Sequence, residues 1–126
     1  MATQPAVVDA DLWREDHRHA LTKESFQRAF LDNLFCVQGK FPALATKNDY
    51  YQALAHAVRE RMMRRWISTA AAYTKQGSRT VAYLSAEFLM GPHLGNNLVN
   101  LGIYDDVKQA ISELGLDFEE LLAEEE

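Results

Sequence analysis

Apolar residues recur at helical spacing in the first third of the chain. Phe26, Phe30, Leu34 and Val37 follow one another at steps of four, four and three residues, and Thr22 stands before them. Residues at these steps lie on one face of an α-helix, and threonine is a common N-cap. The pattern therefore predicts a first amphipathic helix that begins after Thr22.

A second and longer helix is predicted between Thr46 and Gly77. Thr46 and Asp49 have the spacing of a capping box, and Gly77 is a typical helix stop. At 1.5 Å per residue the segment 49–76 would be about 42 Å long, which is long for a small domain. We expect it to project or to carry a partner surface. Its apolar stripe comprises Leu54, Val58, Met62, Trp66, Thr69 and Tyr73.

The remainder of the chain has one strand-like segment and three short helical ones. Arg79–Leu84 is a short apolar run with β-branched and aromatic residues, which predicts a strand. Glycines and N-caps predict short helices near 94–101 and 105–114 and after Asp117. A single strand cannot form a sheet, so its partners would lie in a second copy or in sequence beyond this chain.

The predicted fold class is therefore mainly α, with two long amphipathic helices, one short strand and three short helices. Residues 1–21 have no clear period and are interpreted as an N-terminal arm, while 22–126 would be an incomplete, mostly helical domain. The end of the chain, "DFEELLAEEE", contains no helix-stopping residue, so we expect its helix to run to the last residue. Together with the lone strand, this predicts a fragment of a longer protein.

Composition narrows the possible partners. The 126 residues are 48% apolar and 25% charged, with a net charge of −5. Such a balance is typical of a soluble globular protein and argues against nucleic-acid or anionic-membrane binding. Cys36 is the single cysteine, so no disulfide can form within the chain, and we expect a cytoplasmic protein with this cysteine buried as a small apolar residue.

Two groups of charged residues are candidates for a site. Glu87 lies in an apolar run just after the predicted strand, where a carboxylate is costly unless it is paired; a structural ion pair is the plainer alternative. Arg61, Arg64 and Arg65 share one side of the second helix and could bind an anion, or could form a solvated face balanced by Glu60. No metal cluster, glycine-rich phosphate loop or nucleophile with its base is apparent, so the chain alone is not expected to be an enzyme.

Several linked motifs resemble the N-terminal region of the α-glucan (glycogen, starch, maltodextrin) phosphorylases. They are "YLSAEFLMG" at 83–91, "NNLVNLG" at 96–102 and "LGLDFEELLAEEE" at 114–126, preceded by "DYYQALAHAVRERMMRRWI" at 49–67. The resemblance covers roughly residues 25–126, and the motifs occur in the same order.

The resemblance implies a parent enzyme much larger than this chain. It would be an α/β glycosyltransferase of the two-domain GT-B type that cleaves α-1,4-glucan with phosphate to glucose 1-phosphate, using pyridoxal phosphate bound to a lysine. The catalytic residues and that lysine would lie outside this chain. Glu87 would neighbour the active-site cleft, and Trp66 would be the remnant of a regulatory nucleotide site whose two other positions here are Ala70 and Thr74.

Three functions follow from these observations. The first is a non-catalytic N-terminal segment of a phosphorylase, which contributes subunit contacts and support for the cleft. The second is a free-standing helical module that binds a phosphorylase or itself. The third is a small anion-binding regulator that uses Arg61, Arg64 and Arg65.

Overall fold

Five α-helices account for most of residues 20–125, the part of the chain that this computed structural model describes. In chain order the elements are α1 (Lys23–Cys36), a short 3-10 helix (Pro42–Leu44), α2 (Lys47–Gln76), α3 (Leu94–Leu101), α4 (Tyr104–Glu113) and α5 (Phe118–Leu122). The helical part of the predicted fold class is confirmed. The expected arm, 1–21, lies outside the described residues except for its last two positions.

The ends of the long helices follow the predicted caps. Thr22 Oγ1 accepts a hydrogen bond from the Ser25 backbone N–H at 3.3 Å and begins α1. The capping box of α2 is complete, because Thr46 Oγ1 accepts from the Asp49 N–H at 3.2 Å and Asp49 Oδ2 accepts from the Thr46 N–H at 2.8 Å. Gly77 ends α2 with a φ of 59°, a left-handed conformation that glycine adopts without a steric penalty.

The first half of α2 is the centre of the bundle. It packs against α1, α3 and α5, while α4 contacts α1, α3 and α5. Burial of these faces removes apolar side chains from water, which is the main favourable term in folding. The core consists of Phe26, Ala29, Phe30, Leu34, Ala53, Leu54, Ala57, Val58, Leu94, Leu98, Leu101, Ile103, Val107, Ala110, Ile111, Phe118 and Leu121.

The second half of α2 extends beyond this core. The predicted apolar stripe is buried at Leu54 and Val58, but Trp66 is 64% exposed and Tyr73 is 61% exposed. The stripe continues in sequence past the point where neighbouring helices end. The expectation that this helix projects therefore agrees with its packing.

The predicted strand at Arg79–Leu84 is wrong for this structure. The segment has no regular secondary structure, and the described residues contain no strand at all. Val81 is 91% exposed and Leu84 is 92% exposed. A strand is stabilised by ladder hydrogen bonds and by side chains packed on a neighbouring strand, and residues 20–125 supply no such neighbour.

Two smaller expectations are also wrong. Cys36 is exposed, because it lies two residues, or about 200° of helix, beyond the buried Leu34 and so faces away from the core. The last helix ends at Leu122 instead of running to the end of the chain. Beyond it the backbone makes a turn, in which the Glu124 N–H donates to the Leu121 carbonyl at 3.2 Å.

Candidate functional site

Arg61, Arg64 and Arg65 line one cavity beside α2. At about 100° per residue, Arg64 and Arg65 lie about 60° and 40° to either side of Arg61, so all three side chains leave the helix on one face. The cavity has a volume of about 520 Å³. The grouping predicted from sequence is thus present, and the described lining residues are Leu21, Arg61, Arg64, Arg65, Ser68 and Thr69.

Arg61 is the unusual member of this cluster, because it is only 2% exposed. Its guanidinium carbon lies 4.7 Å from the centre of the Phe26 ring, and Nη1 donates to the Ala57 carbonyl at 2.9 Å. Its Nε and Nη2 are buried without a hydrogen-bond partner. Burial lowers the pKa of Arg61 to about 10, and the nearby charge of Glu60 opposes that shift.

The other two arginines are exposed, and they differ in how they are held. Arg65 Nη2 donates to the Leu101 carbonyl at 3.2 Å, at the end of α3 where helix carbonyls lack an intrahelical partner. This hydrogen bond ties the middle of α2 to the end of α3. Arg64 is exposed on the rim of the cavity. The cavity therefore combines one buried cation with two more that a solute can reach.

Glu87 does not lie in the apolar surroundings that its sequence context predicted. The residue is exposed, and its backbone N–H donates to Ser85 Oγ at 3.1 Å in a local turn. The apolar neighbours in the motif, Phe88 and Leu89, are 82% and 83% exposed. Glu87 itself is exposed, so its carboxylate is in water in this structure.

A second cavity, of about 820 Å³, lies where this motif meets the start of α2 and the residues that follow α5. Tyr51, His93 and Glu125 line it together with residues 88–91. Glu125 Oε2 accepts a hydrogen bond from the Leu94 N–H at 2.8 Å and so caps α3. Burial, and to a smaller extent the charge of Glu125, raises the pKa of Tyr51.

These three residues were missed by the sequence reasoning. The acidic tail looked like the polar end of a helix, and only the return of the chain to α3 brings Glu125 near Leu94. A glutamate 31 residues away from the helix it caps leaves no local signal in sequence. No spacing rule would have joined it to Tyr51 either.

Trp66 faces away from the arginine cavity. It lies about 140° around α2 from Arg61 and is exposed. The two related positions are occupied by Ala70 and Thr74, and the Thr74 hydroxyl donates to the Ala70 carbonyl at 3.0 Å. The structure thus places the two candidate sites of α2 on different faces of the helix.

The part of the chain that the structure describes offers neither a metal cluster nor a membrane-spanning helix. Among residues 20–125, no group of three or more His, Cys, Asp or Glu side chains is placed to hold a metal ion. Within the same residues, no helix combines the length and the apolar character that crossing a bilayer requires.

Comparison with known proteins gives one consistent result. The glycogen phosphorylase of Synechocystis sp. is 54% identical over 112 residues, which are 89% of this chain and 13% of that protein. The glycogen phosphorylase of Chlamydia trachomatis is 37% identical over 83% of this chain and 13% of its own length. The liver form of Homo sapiens is 44% identical over 79% of this chain and 11% of its own. No family model matches the chain. The chain is therefore related to the glycogen phosphorylases, and it spans only about 13% of the length of the first of these curated relatives.

Proposed function

We propose that this chain acts as part of a glycogen phosphorylase, as a helical segment that supports the phosphorolysis of α-1,4-glucan to glucose 1-phosphate without carrying the reacting groups. The observation that carries the proposal is the 54% identity to the Synechocystis protein over 89% of the chain. Identity at this level over most of the helical bundle favours the same function for the bundle in both proteins, namely to pack against the rest of the enzyme.

The exposed motif segment supports the proposal. Six large apolar side chains between 81 and 90 are exposed, namely Val81, Tyr83, Leu84, Phe88, Leu89 and Met90. Burying one such side chain stabilises a protein by about 1.5–3 kcal/mol, so covering all six would contribute on the order of 10 kcal/mol. The strand-like sequence would gain ladder hydrogen bonds at the same time. Both gains require a sheet supplied by further sequence.

Glu87 then has a specific proposed position. If the segment enters a sheet, its carboxylate leaves water and needs a partner, which would be a charged or polar group of the cleft. We place Glu87 beside the cleft as a supporting residue and not as the acid or base of the reaction.

Pyridoxal phosphate, the cofactor that the resemblance implies, would be bound elsewhere. The cofactor supplies a phosphate group close to the reacting centre and is attached to a lysine. No lysine is among the described residues that line the arginine cavity or the cavity at Tyr51 and Glu125, and Lys23, Lys47 and Lys108 form ion pairs with carboxylates. Neither of these two cavities therefore offers the lysine that this cofactor requires, and we derive no step through it.

A chimaera tests the proposed function. The matching segment of the Synechocystis enzyme would be replaced by the 112 residues of this chain that align with it, and release of glucose 1-phosphate from glycogen and phosphate would be measured. We expect the chimaera to be active and the isolated chain to be inactive. A second chimaera with Leu84→Asp should lose activity, because the exposed Leu84 would become buried in the complete protein.

The same substitution in the isolated chain provides the control. There Leu84 is in water, and surface substitutions change stability by less than about 0.5 kcal/mol. Activity of the Leu84→Asp chimaera equal to that of its parent would contradict the proposed burial. Phosphorolysis by the isolated chain would contradict the proposal that the reacting groups lie outside it.

A free-standing interaction module is the second candidate. The exposed apolar residues Trp66, Ile67 and Tyr73 on α2 favour it, since a second copy could cover them. Reading the gene past the codon for Glu126 separates the two functions: an open frame supports the phosphorylase segment and a stop codon supports the module. Under the second function, light scattering at micromolar concentration should give an oligomeric mass.

A further inference from the structure

The floor of the arginine cavity carries a buried positive charge that its surroundings do not fully balance. Arg61 is 2% exposed, and two of its three guanidinium nitrogens have no hydrogen-bond partner. Its contacts with the Phe26 ring and the Ala57 carbonyl are to neutral groups. A buried cation costs several kcal/mol unless an opposite charge lies nearby. Glu60 on the same helix supplies part of that balance.

The rim of the cavity adds positive charge and hydrogen-bond donors. Arg64 and Arg65 are exposed there, and the hydroxyls of Ser68 and Thr69 are the other polar side-chain groups among the described lining residues. None of the described lining residues is acidic. The single hydrogen bond from Arg65 to Leu101 uses one of five guanidinium N–H groups, so the others can reach a ligand.

These features match the chemistry of one ligand class. Guanidinium groups bind phosphate oxygens through paired, charge-assisted hydrogen bonds, and hydroxyls supply additional donors. A volume of about 520 Å³ is within the range of small-molecule sites, and so leaves room for an organic group beside the phosphate.

We propose that the cavity formed by Arg61, Arg64 and Arg65 binds a phosphate-type oxyanion, either inorganic phosphate or the phosphate group of a small metabolite. The rim arginines contact the oxyanion, and the buried Arg61 attracts it through its charge from below. The site is separate from the proposed cleft region at Glu87 and does not depend on the proposed function, because binding is measured without any turnover.

The test is a calorimetric titration of the 126-residue chain with inorganic phosphate at neutral pH, with chloride holding the ionic strength constant. We expect saturable binding. Arg64→Gln should weaken it about tenfold or more, the loss expected when a charged hydrogen-bonding partner is removed. Arg64 is exposed, so this variant keeps its fold, which circular dichroism verifies. Glucose 1-phosphate titrated in the same way distinguishes an organic phosphate from the free ion.

Arg59→Gln is the matched control. Arg59 is an exposed arginine of the same helix that does not line the cavity, so its loss should leave the affinity unchanged. Absence of saturable binding, or an equal loss in the Arg59→Gln and Arg64→Gln variants, would overturn the proposal.

Discussion

Replacing Arg61 with methionine tests the energetic cost of the buried guanidinium. Burial lowers the pKa of Arg61 from its usual value to about 10. A shift of two or more units corresponds to about 3 kcal/mol at roughly 1.4 kcal/mol per unit, and this penalty is present at neutral pH. Methionine replaces the aliphatic stem of arginine and carries no charge, so Arg61→Met removes the penalty.

The substitution also removes two favourable contacts. The cation–π contact with Phe26 contributes about 1 kcal/mol, and the hydrogen bond to the Ala57 carbonyl contributes about as much. The two lost contacts together are worth less than the burial penalty of about 3 kcal/mol that the substitution removes, so the folded state is stabilised. We therefore expect Arg61→Met to raise the free energy of unfolding by about 1 kcal/mol at pH 7 in buffer without phosphate.

Urea denaturation followed by circular dichroism measures this change. Because the folded-state pKa of this base is lowered, the penalty is complete below pH 10 and disappears as the pH rises from about 10 towards the unfolded-state value. The advantage of the methionine variant should shrink over the same interval. Arg59→Met, at an exposed position of the same helix, should change stability by less than about 0.5 kcal/mol. A loss of more than about 1 kcal/mol in Arg61→Met would refute the reasoning, since the charge would then be net favourable where it lies.

Three further predictions concern the scaffold. Leu98→Ala should lower the free energy of unfolding by about 2–5 kcal/mol, because Leu98 is fully buried, whereas Val99→Ala, exposed beside it, should change it little; urea denaturation compares the two. Thr46→Ala should cost about 1 kcal/mol in the same assay, because it breaks the capping box of α2. The hydrogen bond from Lys23 lowers the pKa of Glu113, so its contribution to stability is present above the usual carboxylate pKa and is lost as the pH falls through the lowered value; melting curves recorded between about pH 6 and about pH 3 should show this loss in the original chain and not in Glu113→Gln.

The helices could be predicted from sequence because their signals are local. Apolar periodicity, the Thr46–Asp49 capping box and the stop at Gly77 each involve residues within a few turns of one another. The arginine cluster could be predicted for the same reason, since its members lie three and four residues apart on α2. Periodicity does not predict the degree of burial. Leu54 and Tyr73 belong to the same stripe on α2, but only Leu54 is covered by neighbouring helices.

The residues that sequence reasoning missed depend on contacts between distant parts of the chain. The carboxylate of Glu125 reaches Leu94 only because α5 returns the chain to the start of α3. The burial of Arg61 depends on Phe26, which lies on another helix. Neither contact follows from residue types at a fixed spacing.

The amino-acid sequence by itself determined the helices, their caps and the face on which the arginines lie, because hydrogen bonding and periodicity within a helix act over a few residues. The tertiary structure alone decided which of those faces are covered, that Arg61 is buried while Arg64 is not, and that 79–84 forms no strand among the described residues. Burial and strand pairing both require a second element at the right place, and the position of that element is a property of the folded chain.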